Sequence, residues 1–154
     1  MRIYLRKVEL PDFEIFKKYA DDEEIHKYNT FDIYKKAKEV GFDTFLNDKN
    51  ETRYAICLKD TDEMIGDIGD RIVPDSDEIK FGLTIFRKDL WDKGYGFEAI
   101  SQLLEKLKAR GINKVILDVD KRNERALHLY KKLGFVIYEE SDKKYQMRIE
   151  LMMS

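Results

Sequence analysis

"LWDKGYGFEAI", residues 90–100, sets Gly94 and Gly96 one residue apart and then runs into apolar residues at helical spacing. At a helix start, unpaired backbone N–H groups and the positive end of the helix dipole converge on one point, which favours an anion. Glycine there removes the Cβ that would hold a phosphate away, and it accepts the positive φ that turns successive amides inward. A plain strand-to-helix turn would use the same glycines for geometry alone. The stretch also satisfies G-x-G-x-x-A, with Asp118 or Asp120 near the place where a dinucleotide-binding fold carries its ribose-binding acid. That fold puts its glycine turn after the first strand. Here several β-rich runs come first, and too little chain follows Gly96 for further βαβ units, so position argues against a dinucleotide.

The surrounding pattern sets the fold class. Before the turn, "DEIKFGLTIF" (77–86) reads as a strand; after it, Phe97, Ile100, Leu103, Leu104 and Leu107 form one helical stripe that Gly111 ends. "NKVILDVD" (113–120) has the β-branched run of a buried strand, and "NERALHLYKKLGF" (123–135) is a helix capped by Asn123 and closed by Gly134. Two strands follow, with Tyr145, Met147, Ile149 and Leu151 alternating in the second. At the amino end, "RIYLRKV" (2–8) alternates as a first strand. Phe13 and Phe16 then begin a helix after an Asp12 cap, and a second amphipathic segment runs from about Ile33 through Ala37 and Val40 to Phe45. "TRYAICLK" and "EMIGDIGDRIV", separated by the turn-prone "DTDE", predict a hairpin. The order β-α-α-β-β-β-α-β-α-β-β predicts a mixed α/β sheet in one domain over 1–154.

Composition limits function. With 154 residues, 43% hydrophobic and 39% charged, the chain reads as a single globular domain with a heavily charged surface. A net charge of -2 argues against nucleic acid as a partner. The lone cysteine, Cys57, allows no internal disulfide and fits a reducing cytoplasm. The first residues carry scattered charge and no signal-peptide core, and no run approaches the roughly 20 residues of a membrane span, so a cytoplasmic protein without membrane contact is expected. His26 and His128 lack a second ligand at metal spacing, and no metal is expected.

"WDKGYG" together with "NERALHLYKKLGF" resembles the GNAT superfamily of N-acetyltransferases, whose loop reads Q/R-x-x-G-x-G/A and whose later helix reads N-x-x-A-x-x-x-Y-x-x-x-G-F. The likeness runs from "DEIKFGLTIF" through "YKKLGF", and is closest to the branch with ribosomal-protein N-terminal and diamine acetyltransferases. Trp91 departs from the pattern, standing where the family carries Gln or Arg. The resemblance implies a mostly antiparallel twisted sheet of six to seven strands, about four helices, and a splay that forms the acetyl-CoA cleft. It implies acetyl-CoA as co-substrate, with pantetheine beside Thr84, Ile85 and Phe86 and pyrophosphate on Asp92, Lys93, Gly94, Tyr95, Gly96 and Phe97. An exposed strand end offers amides and carbonyls to a peptide-like arm, and a helix start suits a diphosphate. The resemblance allows a homodimer.

Amine acetylation needs a neutral nucleophile, yet an alkyl ammonium has a reference pKa of about 10.4. A carboxylate near the acceptor can take the proton, and an acid can protonate the departing thiolate. Tyr130 matches the family's tyrosine and is the expected acid; a core tyrosine would look the same in sequence. For the base, Glu78 in "DEIKF" is placed first and Asp118 in "ILDVD" second, with no single base as the third reading. Asn123 can both cap its helix and bind pantetheine or substrate. The acidic runs "DDEE" (21–24) and "DSDE" (75–78) could attract a polyamine, or could simply be solvated. The acceptor class is a small-molecule, polyamine or peptide amine. A protein that keeps the cleft but only senses acetyl-CoA is the alternative.

Overall fold

The alternating apolar runs pair into one sheet. In a computed structural model, which describes residues 1–28 and 33–151, seven strands lie in the order β1-β2-β3-β4-β5-β7-β6. They are β1 (Ile3–Lys7), β2 (Glu51–Leu58), β3 (Met64–Ile72), β4 (Ile79–Ile85), β5 (Lys114–Asp120), β6 (Val136–Glu140) and β7 (Lys144–Glu150). Every pairing is antiparallel except β4 with β5. Five helices accompany them: α1 (Phe13–Tyr19), α2 (Ile33–Val40), α3 (Phe42–Leu46), α4 (Tyr95–Ala109) and α5 (Glu124–Leu133).

Two details differ from expectation. The segment predicted as one helix from Ile33 to Phe45 is two, because Gly41 at φ 95° breaks the hydrogen-bonded turn between α2 and α3. The Ile33 side chain lies outside the described residues, as do residues 29–32 and 152–154. Asp12 occupies the residue before α1, but its side chain does not cap that helix. It accepts instead from the Glu9 backbone at 2.8 Å and from Arg6 at 2.8 and 2.9 Å.

Each face of the sheet has its own core. Ile56, Ile68, Phe81, Val115, Leu117 and Met147 pack with Ile100, Leu103 and Leu107 of α4 on one face. On the other, Ala55, Cys57 and Met64 meet Phe13 and Phe16 of α1 and Phe45 of α3. The second core covers the β1–β3 half, so the opposite face of β4 and β5 is left to line a cleft. Parallel pairing of β4 with β5 is confined to Ile79 with Val115 and Lys80 with Ile116. Beyond that point the two strands diverge, and the site opens in the gap.

Candidate active site

The glycine turn uses its two glycines differently. Gly94, at φ 88°, is the residue before α4, where a side chain would be strained. Gly96 sits in the first turn, and a Cβ there would lie 3.2 Å from Leu129 Cδ2 and 3.5 Å from Leu83 Cδ2, so its absence lets α4 pack close to α5 and β4. Trp91 ties the loop to the strand end: its indole Nε1–H donates to the Ile85 carbonyl at 3.0 Å. Basic side chains approach the turn from α5. Arg125 of α5 lies over the Trp91 ring at 4.6 Å and pairs with Asp92 at 2.9 Å, and Lys132 lies over Phe97 at 5.3 Å. Arg2 lies over Tyr95 at 3.9 Å and donates to the Lys93 carbonyl at 2.9 Å, which fixes the loop backbone. Phe86 is buried in the second core, stacked on Tyr19 with ring centres 5.1 Å apart, and its N–H donates to the Ile65 carbonyl at 2.7 Å. At Phe86 the backbone amide is therefore already engaged.

The cleft beside the splay brings together Thr84, Asn123, Tyr130 and Asp118 of the expected residues. The Tyr130 ring meets Phe81 and Phe135 edge to face, at 5.9 and 6.0 Å between centres. Burial pushes its phenol up to about 12, so it keeps its proton at neutral pH. Asn123 caps α5 by accepting from Ala126 N at 3.2 Å, which leaves its NH2 end as a donor. Asp118 is held by the Lys80 ammonium and by Gln146 at 3.3 Å. Glu78 is not among the cleft-lining residues; it sits just before β4, where the Ser76 hydroxyl meets its carboxylate at 3.3 Å. The first acidic run is partly engaged, with Asp22 and Glu24 on Lys88 at 2.9 and 3.3 Å.

Further cleft residues to which the sequence assigns no site role include Asp67, Arg53 and His26. Asp67 is 3% exposed on β3, directly across from Thr84, and burial raises its carboxyl from 3.8 to about 6. Its Oδ2 is 3.5 Å from Arg53 Nη1, while Oδ1 is buried without a hydrogen-bond partner among the described residues. The His26 ring nitrogen Nε2 lies 2.9 Å from the Tyr19 carbonyl. The signal for Asp67 was an acid inside the apolar run "MIGDIGD", a pattern that turn-forming glycines on either side disguise.

Splayed strands, a helix start with basic side chains near it and a protonated tyrosine lining the cleft are an arrangement suited to acyl transfer. The profile of the acetyltransferase (GNAT) domain matches residues 2–136. The chain belongs to that family and is an acetyl-CoA-dependent N-acetyltransferase. It is 26% identical over 141 residues to the uncharacterized N-acetyltransferase p20 of Bacillus licheniformis, covering 87% of this chain and 79% of that protein. A domain from Methanocaldococcus jannaschii has the same fold, with a TM-score of 0.84 at 20% identity over 97% of this chain and 99% of that one. So does the spermidine N-acetyltransferase of Vibrio cholerae, solved with CoA and spermine, at TM-score 0.82 and 20% identity over 97% and 95%. Among the described residues no helix is long and apolar enough to cross a membrane, and no group of three metal-ligating side chains is gathered.

Proposed function

We propose that the chain, acting as one domain, transfers the acetyl group of acetyl-CoA to a primary amine by direct attack. The observation that carries the reading is the position of Tyr130, lining the cleft where β4 and β5 part and protonated at working pH. Pantetheine would run beside Thr84 and Ile85, and its diphosphate would meet the first-turn amides of α4 with Lys93 and Arg125 nearby. The chain's single cysteine, Cys57, is buried in the second core, and burial pushes its thiol up, so it is not poised to form a covalent intermediate. The amine nitrogen therefore attacks the thioester carbonyl directly, and as the C–S bond breaks Tyr130 protonates the thiolate, a stronger acid's work done by position. Of the two carboxylates expected from sequence, Asp118 is paired with Lys80 and Glu78 stands outside the lining, so neither is given the proton-accepting role. The Vibrio cholerae relative's complex with CoA and spermine supports a CoA donor and a cationic acceptor.

The test is thiol release from acetyl-CoA with a panel of monoamines, polyamines and N-terminal peptides. Release that requires an amine, with acetylated product by mass, supports the transferase reading. Acetyl-CoA binding with no release on any amine would favour the sensor.

A further inference from the structure

We propose that Asp67 is the carboxylate on which the acceptor's ammonium docks and to which it gives its first proton. The inference rests on the acetyl-transfer reading and names the residue that selects a cationic amine.

Among the described residues the cleft holds three aspartates, and two are already engaged. Asp120 accepts from Arg122 at 2.9, 2.9 and 3.0 Å, and that contact lowers its pKa to about 2. Asp118 is locked between Lys80 and Gln146. Asp67 alone of the three has a buried oxygen without a hydrogen-bond partner among the described residues. A buried polar atom of this kind is costly, and its persistence points to a donor that arrives with the ligand. An ammonium supplies it.

The floor of the cleft is shaped for that approach. Thr84 is the cross-strand neighbour of Asp67 on β4, and Gly82 pairs with Gly69 one step along the same face. A Cβ on Gly82 would meet nothing within 4 Å, so the space beside Asp67 stays open. A Cβ on Gly69 would lie 2.5 Å from Arg53 Cδ, so this glycine lets the Arg53 side chain lie flat against the sheet. Arg53 is shared between Asp67 at 3.5 Å and Glu51 at 3.3 Å, which leaves its hold on Asp67 long. Tyr28 and Tyr34 also line the cleft, and aromatic rings there suit an alkylammonium.

The step balances. The ammonium transfers one proton to the Asp67 carboxylate, and the neutral nitrogen forms a C–N bond to the thioester carbonyl. The carbonyl reforms as the C–S bond breaks, and the Tyr130 phenol gives its proton to the sulfur. The second nitrogen proton restores the phenol, and Asp67 releases its own to solvent. Among the described residues, the charged groups that face Asp67 are Arg53 from β2 and His26 from the segment after α1, both pulling its carboxyl down against burial, with Lys80 of β4 and Asp118 and Asp120 of β5 in the same cleft.

The experiment compares wild type with Asp67→Asn on the best amine of the panel, with acetyl-CoA affinity and melting temperature measured on both. The expected result is a loss in kcat of about 100-fold or more, disappearance of an acidic limb near pH 6 in kcat/KM, unchanged acetyl-CoA affinity, and a melting temperature at or above wild type. A merely structural aspartate would instead lower the melting temperature and leave kcat and the limb in place, which would overturn the inference. If Asp67→Asn does not fold, the wild-type profile decides: an acidic limb near 6 supports the assignment, and a profile flat from pH 5 to 7 overturns it. Absence of turnover by wild type on every amine sinks the transferase reading itself, a different failure.

Discussion

Two buried aspartates, one beside α1 and one on the cleft floor, show how the same residue type is put to opposite uses. Asp12 is 6% exposed and Asp67 is 3% exposed, so burial alone does not separate them. At Asp12, burial pushes the carboxyl up, but two charged hydrogen bonds from Arg6 and one from the Glu9 N–H outweigh it and the net shift is downward. At Asp67, burial also pushes upward, and one contact to Arg53 at 3.5 Å does not offset it. The difference lies in the number of donors. A satisfied buried carboxylate fastens β1 to the start of α1; an under-satisfied one is left with capacity for a ligand.

Removal of a proton donor from the cleft is expected to have the largest effect. Tyr130→Phe keeps the ring against Phe81 and Phe135 and should lower kcat by about 100-fold or more, with acetyl-CoA affinity little changed. Unchanged turnover would remove the tyrosine from the chemistry and leave it as a core residue. The corresponding change at the first aspartate should separate stability from activity. Asp12→Asn loses charged hydrogen bonds to a partly exposed Arg6 and should destabilise the fold by about 2–3 kcal/mol, with kcat unaltered in the protein that remains folded. A kcat loss comparable to that of Asp67→Asn would erase the distinction drawn between the two carboxylates.

The pH dependence of stability should carry opposite signs at the two sites. Asp12 has a folded pKa below the ordinary 3.8, so its contribution is present above that value and is lost as pH falls through the folded pKa. Asp67 has a folded pKa of about 6, so the folded chain holds a proton that the unfolded chain has released between roughly 4 and 6. Its contribution is greatest below about 4, declines as pH rises to 6 and is level above, a change of at most roughly 3 kcal/mol. Chemical denaturation of wild type and Asp67→Asn at pH 4.5 and 7 reads this directly. Equal pH slopes for the two proteins would mean that the raised carboxyl is not Asp67.

The same contrast explains what could be read from sequence. Gly94, Asn123 and Tyr130 were legible because each belongs to one short stretch in which the backbone itself builds the device. A helix start, a cap and a helix-borne phenol all have local spacing. Asp67, Arg53 and His26 come from three separate elements, and only sheet register places Asp67 across from Thr84. No spacing rule reports cross-strand neighbours of that kind. The order of elements along the chain and the two late helices were legible for the first reason. The break at Gly41 was not, since an apolar stripe continues in sequence across a residue whose φ of 95° ends the helix. Motif position puts Glu78 first as the base in the sequence, and the fold leaves it out of the cleft lining.

Trp91 gives the last and smallest test. Its side chain cannot bind phosphate as Gln or Arg would, but it holds the Ile85 carbonyl and provides a face for Arg125. The guanidinium thus reaches the glycine turn from α5, outside the loop motif that Trp91 interrupts. Arg125 is half exposed, so solvent and salt screen it. Arg125→Ala should raise the KM for acetyl-CoA by about three- to fivefold at low ionic strength, with kcat unchanged, and the gap should narrow as salt is added. Dephospho-CoA and CoA, used as competitive inhibitors, would show whether the charge acts on the diphosphate common to both or on the 3′-phosphate that only CoA carries. An equal loss for the two ligands keeps Arg125 at the turn, whereas a loss confined to CoA would move it to the far end of the donor.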